Sequence, residues 1–129
     1  MKLSLILHSY SYDRVHYGLS IALTGLAMGM EVHVLFTYGA LKRLVKGRTD
    51  ILGEGEMEER IEKALKKGAI SSIKDTISNA KKMGLKIYAC VAAMSLLNIA
   101  RDELIEEVDE VISLSRFLDL AKDSLVLYI

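Results

Sequence analysis

One thiol stands out as the residue best placed for chemistry. Cys90 is the only cysteine in the chain, within the segment IYACVAAMSLLNI. It lies between a strand predicted for Lys86–Val91 and a helical turn predicted for Ala92–Leu97. The first amides of a helix stabilise an anion, so those of Ala92 and Ala93 would hold a thiolate or a persulfide anion. Cysteine is also a common packed core residue. The residue pattern leaves both interpretations open.

Polar side chains follow two other predicted strands. His8, Ser9 and Tyr10 come after the first strand, and Thr37 and Tyr38 come after the second. Ligands of open parallel sheets bind beyond the carboxyl ends of the strands. These five residues are therefore the candidate pocket groups around Cys90, although a histidine at a strand end is often only a hydrogen-bonded loop residue.

Several other chemistries are excluded or disfavoured. One cysteine forms neither an intrachain disulfide nor a two-cysteine redox motif. The histidines, cysteine and acids show no metal-ligand spacing, and we predict no metal or cofactor. HSYSYDR, after the first strand, lacks the glycines of a phosphate-binding turn. Its hydroxyls at Ser9 and Ser11 leave a flavin- or nucleotide-binding module as a weaker alternative.

Composition indicates one folded domain over residues 1–129. Seventeen basic and 17 acidic residues give zero net charge, and 51% of residues are hydrophobic. No basic excess favours nucleic acid or an anionic membrane. The N-terminal apolar run is too short for a signal peptide or a membrane span, and the lone cysteine gives no sign of an oxidising compartment. We therefore expect a cytoplasmic protein.

Apolar strands alternate with amphipathic helices along the chain. The predicted strands are Lys2–Leu7, Glu31–Phe36, Lys86–Val91, Glu110–Leu114 and Ser124–Ile129. The predicted helices are Asp13–Gly29 with Asp13 as N-cap, Ala40–Gly47, Glu56–Lys67, a stripe from Ile70 to Met83, Ala92–Leu97 and Ser115–Lys122. The glycine-rich segment Gly47–Gly55 is expected to be a mobile surface loop.

This alternation predicts an α/β fold, a single-domain three-layer sandwich. We expect a flavodoxin-like, five-stranded, mainly parallel sheet with strand order 2-1-3-4-5. In that order the first and third strands are neighbours, which would put the ligand crevice between the end of the first strand, His8 to Tyr10, and Cys90 at the end of the third. A basic cluster, KRLVKGR at Lys42–Arg48, is either a solvated charged face or a site for an anionic sulfur donor or acidic partner.

Three segments resemble the DsrE/DsrF-like sulfur-relay family, in its peroxiredoxin-like branch. They are AMGMEVHVLFTYGALKRL (Ala27–Leu44), KIYACVAAMSLLNI (Lys86–Ile99) and VDEVISLSRFLDLAKDSLVLYI (Val108–Ile129). The similarity extends over nearly the whole chain, and the second segment contains Cys90.

The resemblance implies a sulfur carrier, sulfurtransferase-like if Cys90 is reactive. Cys90 would accept sulfane sulfur as a persulfide and pass it to a partner thiol, the donor being a protein or a small sulfur compound. It also implies a homo-oligomer, a trimer or a hexamer. A carrier needs no second cysteine. An alternative is a non-catalytic oligomeric or partner-binding subunit with a structural cysteine.

Overall fold

The apolar runs of the sequence form the five strands of one parallel sheet. In this computed structural model, which describes residues 1–129, the strands are short, and the three central ones are mostly buried. They are β1 (Lys2–Leu7), β2 (Glu31–Phe36), β3 (Lys86–Cys90), β4 (Glu110–Ile112) and β5 (Ser124–Tyr128). Every neighbouring pair is parallel.

The predicted α/β class is confirmed, but the predicted strand order is wrong. The sheet runs β4-β3-β2-β1-β5 instead of 2-1-3-4-5. Strands β1 to β4 lie next to one another in chain order, and only the connection from β4 to β5 crosses the sheet. Periodicity defines a strand but not its neighbours, which is why the order could not be read from the sequence. As a result β2 separates β1 from β3, and β5 pairs with β1.

Six helices connect the strands. They are α1 (Tyr12–Ala27), α2 (Tyr38–Leu41), α3 (Glu56–Lys67), α4 (Ile73–Lys82), α5 (Val91–Leu96) and α6 (Leu114–Leu120). The N-cap of α1 is Ser11 and not the predicted Asp13. The helix expected over Ala40–Gly47 is split, because α2 passes into a 3-10 turn at Lys42–Leu44 and Val45 then bridges Leu104. No helix combines the length and the apolar character needed to cross a membrane.

Helices cover both faces of the sheet, which makes three layers. Helix α1 lies so close to β1 that a Cβ atom at Gly18 would meet the Leu7 side chain at 2.5 Å. Tyr88 of β3 is in register with Ile6 and therefore lies on the face opposite to Leu7. Phe117 of α6 is fully buried there and meets Tyr88 in an edge-to-face arrangement, with the two ring centroids 5.9 Å apart.

The segment from Gly47 to Gly55 was expected to be a mobile loop, but its first half is packed and hydrogen-bonded against the rest of the protein. Thr49 is buried. The Asp50 carboxylate accepts hydrogen bonds from the amide of Ile73 at 2.8 Å and from the Tyr12 hydroxyl at 2.5 Å. Asp50 thereby satisfies an otherwise free amide at the start of α4 from a distant part of the chain.

Candidate functional site

Cys90 lies where β3 ends and α5 begins, as the sequence predicts. It is the last residue of β3 and the N-cap of α5, with an extended backbone (φ −74°, ψ 118°). It is also 7% exposed and belongs to the hydrophobic core. The position of Cys90 before the first amides of α5 is compatible with thiol chemistry, whereas its burial is compatible with a packed core residue.

The amides that follow Cys90 are free of protein partners. No side chain caps α5, and the N–H groups of Val91, Ala92 and Ala93 donate to no acceptor outside the helix. Within a helix the first amides have no partner either. Because α5 has only six residues, its dipole is short, and direct N–H contacts are the main stabilisation it offers an anion.

His8 lies within an aromatic cluster at the carboxyl edge of the sheet. Its ring is stacked on Tyr38, with centroids 4.8 Å apart, and lies 5.9 Å from the ring of Tyr128. Sequence reasoning missed Tyr128, because the expected strand order put β5 at the far edge from β1. The pairing of β5 with β1 brings Tyr128 to His8, and no sequence pattern signalled that pairing.

Tyr38 adopts a backbone conformation unusual for a bulky residue. Its φ is +45°, and it is about half exposed. The next residue, Gly39, lies so close to Tyr10 that a Cβ atom there would approach the Tyr10 amide nitrogen to 2.7 Å. Thr37 precedes them as the buried N-cap of α2. The loops after β1 and β2 are therefore packed directly against each other.

Tyr10 and Ser9 have structural partners. The Tyr10 carbonyl accepts two hydrogen bonds from the guanidinium of Arg43, at 2.8 and 3.1 Å. The Ser9 hydroxyl accepts one from the amide of Ser11 at 3.1 Å. The Ser11 hydroxyl is directed at the Asp13 carboxylate, and a negative charge at that place disfavours phosphate.

Arg43 is the residue whose role the sequence did not reveal. It falls in the basic cluster interpreted as solvated or ligand-binding, yet it is 2% exposed. Its Nη1 donates to the Ile51 carbonyl at 2.5 Å and its plane lies 4.0 Å from the Tyr10 ring centroid. Burial lowers the pKa of this guanidinium from its ordinary value. The Tyr10 carbonyl lies 33 residues away in sequence, and those of Thr49 and Ile51 reach Arg43 only through the fold of the following loop, so no local pattern signalled the burial.

The strand order places β2 between His8 and Cys90. His8 and Tyr10 follow β1, Thr37 and Tyr38 follow β2, and Cys90 ends β3, the strand that pairs with β2. Phe36 and Ala89 are in register, so Thr37 is the candidate residue at the strand end next to Cys90. The ends of β1 and β3 are two strand spacings apart, about 10 Å, and the expected crevice directly between these two strands is not formed.

None of the four principal cavities has Cys90 in its lining. No group of three or more histidine, cysteine, aspartate or glutamate side chains is arranged to hold a metal ion. What the site offers chemically is a thiol, the free amides of α5 and a nearby aromatic cluster.

The chain belongs to the DsrE/DsrF/DrsH-like family. The sequence profile of that family matches residues 51–128, more than half of the chain, and the match includes Cys90. The family is associated with sulfur relay. The first of the three segments on which the resemblance was based, Ala27–Leu44, lies outside the matched residues.

Two solved structures have the same fold. One is the protein of unknown function MTH1491 from Methanobacterium thermoautotrophicum, with a TM-score of 0.72, 14% identity, and coverage of 99% of this chain and 98% of that one. The other is the ychN protein from E. coli, with a TM-score of 0.66, 14% identity and full coverage of both chains. No curated protein matches the sequence.

Proposed function

We propose that the protein is a sulfur carrier that holds sulfane sulfur as a persulfide on Cys90. The observation that carries this proposal is the position of Cys90. It is the sole thiol, at the junction of β3 and α5, inside the part of the chain that matches a family associated with sulfur relay.

The chemistry is two successive thiol exchanges. The Cys90 thiolate attacks the terminal sulfur of a donor R–S–SH, the donor S–S bond breaks, and RS⁻ leaves with the electron pair. The acceptor thiolate then attacks the terminal sulfur of Cys90–S–SH, and the Cys90 thiolate is released. No external oxidant or second cysteine is needed, because each step exchanges one S–S bond for another.

The free amides of Ala92 and Ala93 are the proposed stabilisers of the persulfide anion. The thiol is 7% exposed, so donor and acceptor require α5 to move aside. A six-residue helix is held by few bonds, and local opening of such an element costs less than global unfolding. His8, Thr37 and Tyr38 are proposed to contact the partner molecule at the neighbouring strand ends.

The proposed carrier is a homo-oligomer. The edge strand β5 exposes apolar side chains on both of its faces, with Leu125 54%, Val126 44% and Tyr128 68% exposed. Helix α6 adds Leu114 and Leu118, each about half exposed. Exposed apolar surface next to an unpaired strand edge is typical of a protein–protein interface. A trimer or a hexamer remains the expected assembly.

Intact-mass analysis tests the carrier function. The reduced protein and its Cys90→Ser variant are incubated with thiosulfate, polysulfide or glutathione persulfide, and masses are recorded with and without reductant. We expect a reductant-reversible gain of one sulfur atom only when Cys90 is present. An unchanged gain in Cys90→Ser, or no gain from any donor, would reject the proposal.

The burial of Cys90 favours a second candidate function, a non-catalytic oligomeric or partner-binding subunit. In that case the thiol is a small core residue, and the assembly surface of the chain carries its function. A neutral thiol reagent that modifies Cys90 only after denaturation would favour this second function over the first.

A further inference from the structure

A cavity of about 380 Å³ lies beside the helix that follows Cys90. Its lining includes residues of the basic cluster, Lys42, Val45 and Arg48, and the segment 97–99 at the end of α5. Cavities that hold small ligands begin at roughly 300 Å³. We call this cavity the basic groove.

The positive charges of the basic groove are not neutralised by ion pairs. Lys42 and Arg48 are exposed, and neither takes part in any of the seven salt bridges of the protein. The one carboxylate of the lining, on Glu103, accepts a hydrogen bond from the Ala100 amide at 2.9 Å. The groove therefore has an excess of positive charge in a chain whose net charge is zero.

Apolar side chains form the rest of the wall. Val45, Leu97 and Ile99 are partly buried and pack against the core. A lining that combines three apolar side chains with two cations suits an organic anion better than a bare inorganic ion, because the organic part buries apolar surface while the anionic group meets the cations.

The groove is connected to the thiol by two short helices. Lys42 directly follows α2, and α2 packs against α5, whose first residue follows Cys90. Leu97 lies seven residues after Cys90, a rise of about 10 Å along a helix. A donor seated at the Leu97 end of the groove must therefore extend by about this length along α5 to bring its sulfur to Cys90.

We propose that the basic groove binds the carboxylate end of a small organic persulfide that loads Cys90. The inference rests on the proposed carrier function, and it names the class of sulfur donor. Thiosulfate is an anion too, but it is too short to contact both the cations and the thiol. The sulfur of the bound donor is transferred by the same thiolate attack, with the donor thiolate as leaving group.

The first arm of the test measures binding without sulfur transfer. S-methylglutathione carries two carboxylates and no reactive sulfur, and its binding to the Cys90→Ser protein is followed by amide NMR shifts. We expect shifts at Asn98 and Ile99 that weaken as salt is added. The variant Lys42→Gln/Arg48→Gln should lose this binding, and the matched control Lys63→Gln, an unpaired lysine on α3, should retain it. No saturable shift in the Cys90→Ser protein would overturn the proposal, whether or not Cys90 accepts sulfur.

The second arm measures loading of Cys90 by mass spectrometry. We expect Lys42→Gln/Arg48→Gln to slow loading from glutathione persulfide by about fivefold to tenfold, since exposed charge pairs each contribute only modestly. Loading from 2-hydroxyethyl persulfide, which has no carboxylate, and from thiosulfate should change by less than about twofold. The donor assignment would be overturned if the double variant slowed loading equally with all three donors. It would also be overturned if loading from glutathione persulfide were not slowed. If the protein binds S-methylglutathione but no donor loads Cys90, the carrier function is rejected, and the basic groove is retained only as a binding site for an organic anion.

Discussion

The guanidinium of Arg43 lies 4.0 Å from the ring centroid of Tyr10 and donates two hydrogen bonds to the Tyr10 carbonyl. The same group donates to the carbonyl of Ile51. A buried cation thus joins the loop after β1 to the segment before α3. Arg43 is a structural residue within a cluster whose other basic side chains, Lys42, Lys46 and Arg48, are exposed.

Replacement of Arg43 should lower the free energy of unfolding. Arg43→Ala removes charge-assisted hydrogen bonds and leaves buried carbonyls unpaired, so we expect a loss of about 3 kcal/mol in the free energy of unfolding. Urea denaturation followed by circular dichroism measures this loss. The control Arg48→Ala, at an exposed position of the same cluster, should change stability by less than about 0.5 kcal/mol. Similar losses in the two variants would contradict the structural role of Arg43.

The ion pair between Asp109 and Lys81 should make stability dependent on pH. Burial raises the pKa of the Asp109 carboxyl, but hydrogen bonds from Lys81 and the Ile87 amide outweigh burial and hold that pKa below its ordinary value. A carboxyl with a lowered pKa stabilises the folded state above its unfolded pKa, about 3.9 for aspartate, and loses this effect as pH falls through the folded pKa.

We therefore expect Asp109→Asn to cost about 2 kcal/mol of unfolding free energy at pH 7. The difference from the unsubstituted protein should shrink as pH falls below about 4. Denaturant titrations between pH 7 and pH 2.5 measure it. The exposed Asp119→Asn serves as control and should show little effect at any pH. A difference that stays constant down to the lowest pH would show that the charge of Asp109 does not stabilise the fold.

The reactivity of Cys90 should depend on the stability of α5. Ala92→Gly lowers helix propensity by about 1 kcal/mol at an exposed position, which corresponds to about a fivefold increase in local opening. We expect the rate of modification of native Cys90 by iodoacetamide to rise by about that factor. Ala64→Gly in α3 is the control and should leave the rate unchanged. If both variants change the rate only in proportion to global stability, Cys90 reacts from the unfolded state.

The exposed apolar edge at β5 should be the contact between copies of the chain. Val126→Asp places a charge in that surface, and we expect it to shift the assembly to monomers while circular dichroism stays unchanged. Light scattering after size-exclusion chromatography measures the mass. Met57→Asp, at a similarly exposed position on α3, should remain assembled. A monomeric unsubstituted protein at micromolar concentration would contradict the proposed interface.

The sequence by itself determined the five strands, most of the helices and the place of Cys90 at the end of β3. These features depend on local periodicity of apolar residues and on glycine positions, which act over a few residues. The long helix α3 was predicted at its observed bounds, Glu56–Lys67, because its charged, amphipathic pattern is continuous.

The tertiary structure alone decided which strands are neighbours and which polar groups meet. The pairing of β5 with β1 brings Tyr128 to His8, and β2 separates His8 from Cys90. Arg43 became a core residue because carbonyls from two separate segments, Tyr10 after β1 and Thr49 and Ile51 before α3, converge on it. Strand order and such convergence depend on the packing of helices over the whole sheet, and no local pattern encodes them.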